Sequence, residues 1–248
     1  MSADRTLAVA RRVLRQLRRD HRSVVMILAA PPVLLWIIWG IYYNSPRVFD
    51  RVGPMMIGLF PFVMMFLVTS ITTLRERTQG TLDRLMASPI GRGDIMAGYA
   101  AAFLVVALLQ TLITVAVGVW LLELGIRGAL WQVVALVLAL ALFGITLGLF
   151  LSAFARNEFQ VVQFMPLAIL PQIFFAGLLV PVEQMPDVLR WLANILPLRY
   201  ALEALSKVSL TGTPWFDNSI RIDTIVTLMA PFVVLVFGWL TLQRTTND

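Results

Sequence analysis

The chain has 248 residues, 59% of them hydrophobic and 14% charged, with a mean hydropathy of +0.82. A soluble domain runs at about 45–50% apolar and about 25% charged, so a soluble globular domain, a disordered segment and a secreted mini-protein are excluded, and length counts membrane spans rather than domains. Cysteine is absent and His21 is the single histidine, which excludes disulfides, thiol chemistry and any histidine-built metal site or triad. The net charge of +6 comes mostly from arginine, and in a membrane chain it speaks to orientation and lipid headgroups, not nucleic acid.

Residues 5–22 form a basic amphipathic pattern, with Leu7, Ala10, Leu14 and Leu17 near one helical face and Arg11, Arg12, Arg15, Arg18, Arg19 and Arg22 over the rest. This suits a helix in the headgroup plane, and equally a charge cluster that sets topology. Six apolar segments follow: Val24–Tyr43, Pro54–Leu74, Ile95–Leu122, Ala129–Phe154, Val161–Val180 and Thr224–Leu242. Each approaches the roughly 20 residues a spanning helix needs. The first is not expected to be a cleaved signal peptide, because its basic leader is long and Pro31-Pro32 follows Ala29-Ala30. Pro61 and Pro231 should bend the second and sixth spans, and Pro166 and Pro171 should kink or break the fifth. Gly144 and Gly148 on the fourth span permit close helix packing within the chain.

Between the second and third spans lies the connector LRERTQGTLDRLMASPIGRGD, in which Gly80 and Thr81 start a short helix over Thr81–Ala87 with Leu82, Leu85 and Met86 on one face. By pattern alone it reads as a solvated connector that pins topology. The stretch 181–223 contains Pro181, Pro186, Pro197 and Pro214, with apolar runs Val188–Leu196 and Leu198–Leu210 too short to cross. These predict two short helices folded back at the outer surface, anchored by Trp191 and Tyr200. The N-terminal tail, the connector 75–94, the loop 155–160 and the C-terminal tail carry thirteen arginines, against seven cations in the opposite loops, with seven acids on each side. Basic loops stay in the cytoplasm, so both termini face inward.

The sole lysine, Lys207, has no glycines before it, so no phosphate-cradling loop is present and ATP hydrolysis by this chain is not expected. No hydrolase, metalloprotease or dinucleotide motif occurs, and no carboxylate pair lies at membrane depth. Intramembrane polarity is neutral: Thr69, Ser70, Gln110, Thr111, Gln163 and Gln172, read first as helix–helix hydrogen bonds and second as substrate contacts. Phe60, Phe62, Met64, Met65, Phe174 and Phe175 give soft faces that suit varied apolar ligands, or plain lipid and core contact. A passive pore would line itself with polar or charged rings. A transporter with neither rings nor an energy site must couple to a partner, and the connector 75–94 is the one cytoplasmic segment large enough to serve.

The stretch Arg75-Glu76-Arg77-Thr78-Gln79-Gly80-Thr81-Leu82-Asp83-Arg84-Leu85-Met86-Ala87-Ser88-Pro89 resembles the signature of ABC-transporter permeases of the second exporter (ABC-2) class. Ser152–Glu158, Pro166, Pro171, Phe175-Ala176-Gly177, Pro181, Pro186, Trp191 and Leu196-Pro197-Leu198-Arg199-Tyr200 continue the match, while Gln79 and Asn157 depart from its usual residues. The likeness is strongest to bacterial daunorubicin-type multidrug permeases. It implies an all-α membrane fold with an interfacial connecting helix over 1–23 and a six-span permease domain over 24–248, multi-pass in the bacterial plasma membrane. It implies a coupling helix at Thr81–Ala87 seated in a separate ATPase subunit, with Glu76, Gly80, Thr81, Leu82, Asp83, Arg84, Leu85, Met86, Ser88 and Pro89 as coupling residues. The 181–210 region would shape the exit. ATP and magnesium would belong to a pair of ATPase subunits, with no catalytic, cofactor or metal site in this chain. A second permease chain, identical or a sister, would meet this one through the first, second and fifth spans. The candidate substrate path holds Phe60, Met64, Thr69, Gln163, Gln172, Phe174 and Phe175, carrying an amphipathic, drug-like substrate. Polysaccharide or lipid-linked substrates on the same architecture, and a stand-alone channel or ion-coupled carrier, are the alternatives; an intramembrane enzyme is a third class without a catalytic constellation to support it.

Overall fold

The computed structural model describes residues 2–80 and 91–244, except the side chains of Arg92, Met96 and residues 238–244. Its α-helices are α1 (Ala3–Arg19), α2 (His21–Ile41), α3 (Pro46–Thr78), α4 (Arg92–Ala116), α5 (Leu130–Ser152), α6 (Glu158–Phe175), α7 (Asp187–Ile195), α8 (Pro197–Thr211) and α9 (Arg221–Arg244). A π-helical turn, Val117–Leu121, extends α4, and a 3-10 turn, Val182–Gln184, precedes α7. The described residues form no strand. Among the described residues five helices are long and apolar enough to cross a membrane: α2, α3, α4 with its π turn, α5 and α6. The sixth expected span falls within α9, whose last seven side chains lie outside the described residues.

The second expected span is longer than its apolar core. Pro46 opens α3 at a position where the missing N–H costs nothing, and the helix then runs 33 residues. At about 1.5 Å per residue that is about 50 Å, well beyond a hydrocarbon layer of about 30 Å. The helix thus exceeds its apolar stretch at both ends, and Arg75, Glu76 and Arg77 stand in its last turn.

The core forms around α3 and α5. A Cβ built on Gly144 would lie 2.3 Å from the Phe62 carbonyl oxygen, and one on Gly148 2.7 Å from that of Phe66. The small pair thus brings two backbones of one chain into contact, as read from its spacing, and Phe62 stacks on Phe143 with ring centroids 5.4 Å apart. Such close approach is how helices gain van der Waals contact where lipid supplies no hydrophobic driving force between them.

The prolines do not break their helices. α6 runs unbroken through Pro166 and Pro171, so of the expected kink or break the break does not occur, and α2 passes through Pro31 and Pro32. Each interior proline removes one N–H donor, and the orphaned carbonyl lies four residues back. For Pro31 that carbonyl belongs to Ile27, and Gln110 of α4 donates its Nε2–H to it at 2.6 Å. Gln110 is a helix–helix hydrogen bond, the first of its two readings.

α7 and α8 form where the short apolar runs predict helices, but they share little in environment. α7 exposes Val188, Trp191 and Ile195, whereas Leu198, Ala201, Leu202, Leu205 and Val208 of α8 are buried in the main core against α3 and α5. Tyr200 donates its hydroxyl to the Asn194 carbonyl at 2.7 Å, tying α8 to α7.

Candidate functional site: a charged hub at the end of α3

Successive helical residues point about 100° apart, so Arg75, Glu76 and Arg77 fan out in three directions. Arg75 forks onto Glu158 at the start of α6, with Nε–Oε1 at 2.6 Å and NH2–Oε2 at 3.1 Å. Arg77 donates to the Ala153 carbonyl at 2.7 Å and also to that of Ala155, covering the free carbonyls where α5 ends. Glu76 points inward. It is 2% exposed, and its Oε2 accepts from Arg12 NH2 of α1 at 3.3 Å and from the Tyr99 hydroxyl of α4. Three adjacent residues thus join α3 to α1, α4, α6 and the end of α5.

A buried carboxylate costs several kcal/mol unless it is paired and hydrogen-bonded. Here a guanidinium and a phenol supply both to Oε2, whereas Oε1 is buried without a hydrogen bond. The Arg12 side chain keeps 30% of its surface exposed, so its own desolvation is incomplete. The Arg75–Glu158 pair is more than half exposed on the Arg75 side, at 57%, and acts as a surface pair.

α1 reaches Glu76 because it is docked on α4. Val9, Ala10 and Val13 are buried in a cluster with Ile95, Tyr99 and Phe103. Gly98 makes the seat: a Cβ there would lie 2.6 Å from the Val9 Cβ and 2.9 Å from the Thr6 carbonyl oxygen. The Ser2 amide donates to Asp94 Oδ1 at 2.9 Å, and Asp94 Oδ2 accepts from the Gly91 amide at 3.3 Å. This extends one expectation from the sequence and corrects another. Of the expected apolar face Ala10, Leu14 and Leu17 pack in this cluster, centred on Val9 and Val13, while Leu7 is exposed; and Arg12 belongs to the interior pair, not to the free arginine face.

Of the expected coupling residues, Glu76 is the hub's centre. Gly80 ends α3 in the left-handed region, at φ +68°, with its amide on the Arg77 carbonyl at 3.1 Å. Thr81, Leu82, Asp83, Arg84, Leu85, Met86, Ser88 and Pro89 lie outside the described residues. The expected path residues separate. Thr69 and Gln172 are buried, Phe60 and Met64 half-buried, and Gln163 and Phe174 exposed on α6. Phe175 packs against Val182, Met185 and Ala193. Gln172 donates to the Ala168 carbonyl at 3.1 Å, within its own helix. Among the described residues no three His, Asp or Glu side chains gather as a metal site.

Sequence reasoning placed Arg12 only in the basic face, and Arg77 and Glu158 only in the family-like stretches, without a structural role, and it left Tyr99 out. For Arg12 a signal existed: it lies three residues after Val9 and one before Val13, at the edge of the packed stripe. Nothing local marks Tyr99, whose partner is 23 residues away.

Residues 5–210 match the family model described as ABC-2 type transporter. The Escherichia coli (strain K12) protein named Probable multidrug ABC transporter permease YbhR is 32% identical over 161 residues, 64% of this chain and 43% of that protein. The protein of the same organism named Probable multidrug ABC transporter permease YbhS is 25% identical over 207 residues, 82% of this chain and 54% of that protein. The Linearmycin resistance permease protein LnrN of Bacillus subtilis (strain 168) is 28% identical over 153 residues, 61% of this chain and 39% of that protein. The chain spans about half, or less, of the length of these relatives. With five helices able to cross a membrane and a family match over most of its length, this multi-pass membrane chain belongs to the ABC-2 type transporter family.

Proposed function

We propose that this chain is the non-catalytic membrane subunit of an ATP-binding-cassette exporter, with ATP and magnesium held by a separate pair of ATPase subunits. The observation that carries the reading is the hub at Arg75–Arg77. It stands immediately before the connector 81–90 and binds α1, α4, α5 and α6 to one helix end. A force applied to that connector enters four elements through short polar contacts, which is what a lever between an ATPase and a helix bundle requires. In this reading Thr81–Ala87 is the coupling helix and Leu82, Leu85 and Met86 face the ATPase. The arginine-rich end is cytoplasmic by the positive-inside bias, in a bacterial plasma membrane.

A second permease copy would meet this one through α2, α3 and α6. Only 22% of the apolar stretch of α2 and 17% of that of α6 is buried, against 67% for α5. Gln163 and Phe174 on α6, with Phe60 and Met64 on α3, would line a path between copies, while Thr69 serves packing. An uncharged, Met- and Phe-lined path suits an amphipathic drug-like substrate, in keeping with the multidrug and linearmycin-resistance names of the relatives.

Co-expression with an adjacent ATPase gene tests the reading. The two proteins should co-purify, and substrate should stimulate ATP hydrolysis. Leu85→Asp should abolish both effects while the chain stays in the membrane. Efflux by the reconstituted chain alone, driven by an ion gradient, would refute it.

A further inference from the structure

α1 has two apolar flanks. One, centred on Val9 and Val13, is closed against α4. The other remains open. Between it and α4 runs a groove of about 320 Å³, lined by Ser2, Ala3, Thr6, Leu7 and Ala10 on α1 and by Ala97 and Ala101 on α4. Five of these seven are apolar and four are alanines, so the groove is narrow and mainly apolar, and Leu7 is 48% exposed. Ala97 and Ala101 lie one turn apart near the start of α4, so the slot runs along that helix from its charged end towards its apolar middle.

Charge borders the slot. Arg11 follows Leu7 by four residues, which places it beside that lining residue, and Arg18 follows Arg11 by seven, two turns further along the same face. Arg11 and Arg18 are exposed, and among the described residues neither forms an ion pair. α1 carries six arginines against Asp4 alone. A mainly apolar slot with guanidinium groups beside it that form no ion pair has the chemistry of one ligand: a phosphate attached to a hydrocarbon chain.

We infer that the groove between α1 and α4 binds an anionic glycerophospholipid of the adjoining leaflet, one acyl chain in the Ala3–Leu7–Ala97–Ala101 slot and its phosphate on Arg11 and Arg18. The lipid would fill the open flank of the helix whose closed flank carries Arg12 to Glu76. The site thus adjoins the hub but does not depend on the transport reading: it needs only the folded chain and a bilayer.

The test uses the full chain purified from membranes and exchanged into nanodiscs of phosphatidylcholine with or without phosphatidylglycerol. Native mass spectrometry then counts retained phosphatidylglycerol. The parent should keep one such lipid in preference to phosphatidylcholine. Arg11→Gln and Arg18→Gln should each weaken retention about fivefold, the equivalent of the about 1 kcal/mol a basic side chain contributes near an anionic surface. Ala101→Trp should displace the lipid by filling the slot. Arg5→Gln, away from the slot, should leave retention unchanged. Soluble glycerol phosphate should not compete, because it lacks the chain. Equal retention in parent, Arg11→Gln and Ala101→Trp overturns the inference, as does equal retention of phosphatidylcholine. Competition by glycerol phosphate would assign the arginines to a free phosphate instead. Loss of the lipid whenever an ATPase subunit is bound would assign that face to the subunit. Arg11→Gln and Arg18→Gln are surface changes, so the test survives a folding failure of Ala101→Trp, and transport can fail without affecting any of these outcomes.

Discussion

Removing either partner of the Glu76–Arg12 pair should destabilise the chain far more than removing either partner of Arg75–Glu158, although both pairs join α3 to another helix. In Arg12→Ala a carboxylate that is 2% exposed loses its counter-charge and keeps only polar neighbours, the Tyr99 hydroxyl and the Gln16 side chain. Breaking a buried pair this way costs about 3–5 kcal/mol. In Glu76→Ala the guanidinium, 30% exposed, recovers water, so the main losses are the orphaned Tyr99 hydroxyl, about 1–3 kcal/mol, and a small void. The double variant leaves no buried charge at all, so its cost should fall short of the sum of the singles by about 2 kcal/mol, within the range of coupling found between contacting residues. The Arg75→Ala/Glu158→Ala cycle is the control, since exposed pairs contribute about 0.2–1 kcal/mol. Equilibrium unfolding in detergent measures all of these, followed by the fluorescence of the seven tryptophans. If the Glu76–Arg12 coupling is no larger than that of the control, the buried carboxylate is not the energetic centre of the hub. The mechanical reading then loses its support.

Three further outcomes follow from the packing. Gly144→Val places a side chain 2.3 Å from the Phe62 carbonyl, a backbone atom that cannot swing away. It should cost at least the about 1–3 kcal/mol typical of overpacking, visible as loss of monodisperse protein in size-exclusion chromatography. Gln110→Leu strips the Ile27 carbonyl of its donor and should lower unfolding stability by about 1 kcal/mol, the lower end for an orphaned buried group, because Gln110 itself leaves a buried oxygen without a partner. Lys207 contacts Glu203 at 2.6 Å, Asp223 at 3.4 Å and the Ser219 carbonyl at 2.9 Å. Burial by itself pushes its ammonium down, but Glu203 and Asp223 outweigh that and hold it above its ordinary value. A raised value means the contribution is complete below the unfolded pKa, about 10.4, and is lost as pH rises through the folded one. Lys207→Met should therefore lower the melting temperature slightly at pH 7, and the difference from the parent should close in strongly alkaline buffer.

Hydrophobic runs and proline positions alone located eight of the nine α-helices among the described residues, including α7 and α8, because an apolar run bounded by prolines leaves the backbone few other ways to bury its polar groups. The tight approach at Gly144 and Gly148 was legible for the same reason: small residues four apart have one structural use in a lipid-solvated helix. The length of α3 was not legible, because Arg47, Arg51 and Arg75–Arg77 end the apolar run without ending the helix. The unbroken course of α6 was also hidden, since a proline breaks a helix only when nothing else accommodates the lost bond.

Within the hub, sequence pattern could mark Glu76 as a carboxylate at the edge of a span, and nothing more. Its partners come from residues 64 and 23 positions distant, and no local periodicity encodes which helix of a bundle lies beside which. The composition of the chain determined that it dissolves in lipid, because 59% apolar residues admit no aqueous solution. Only the tertiary arrangement decided that α1 rests on α4 through Gly98 and turns Arg12 inward. A charge can lie buried only where its counter-charge is delivered, and delivery is a property of packing, not of order along the chain.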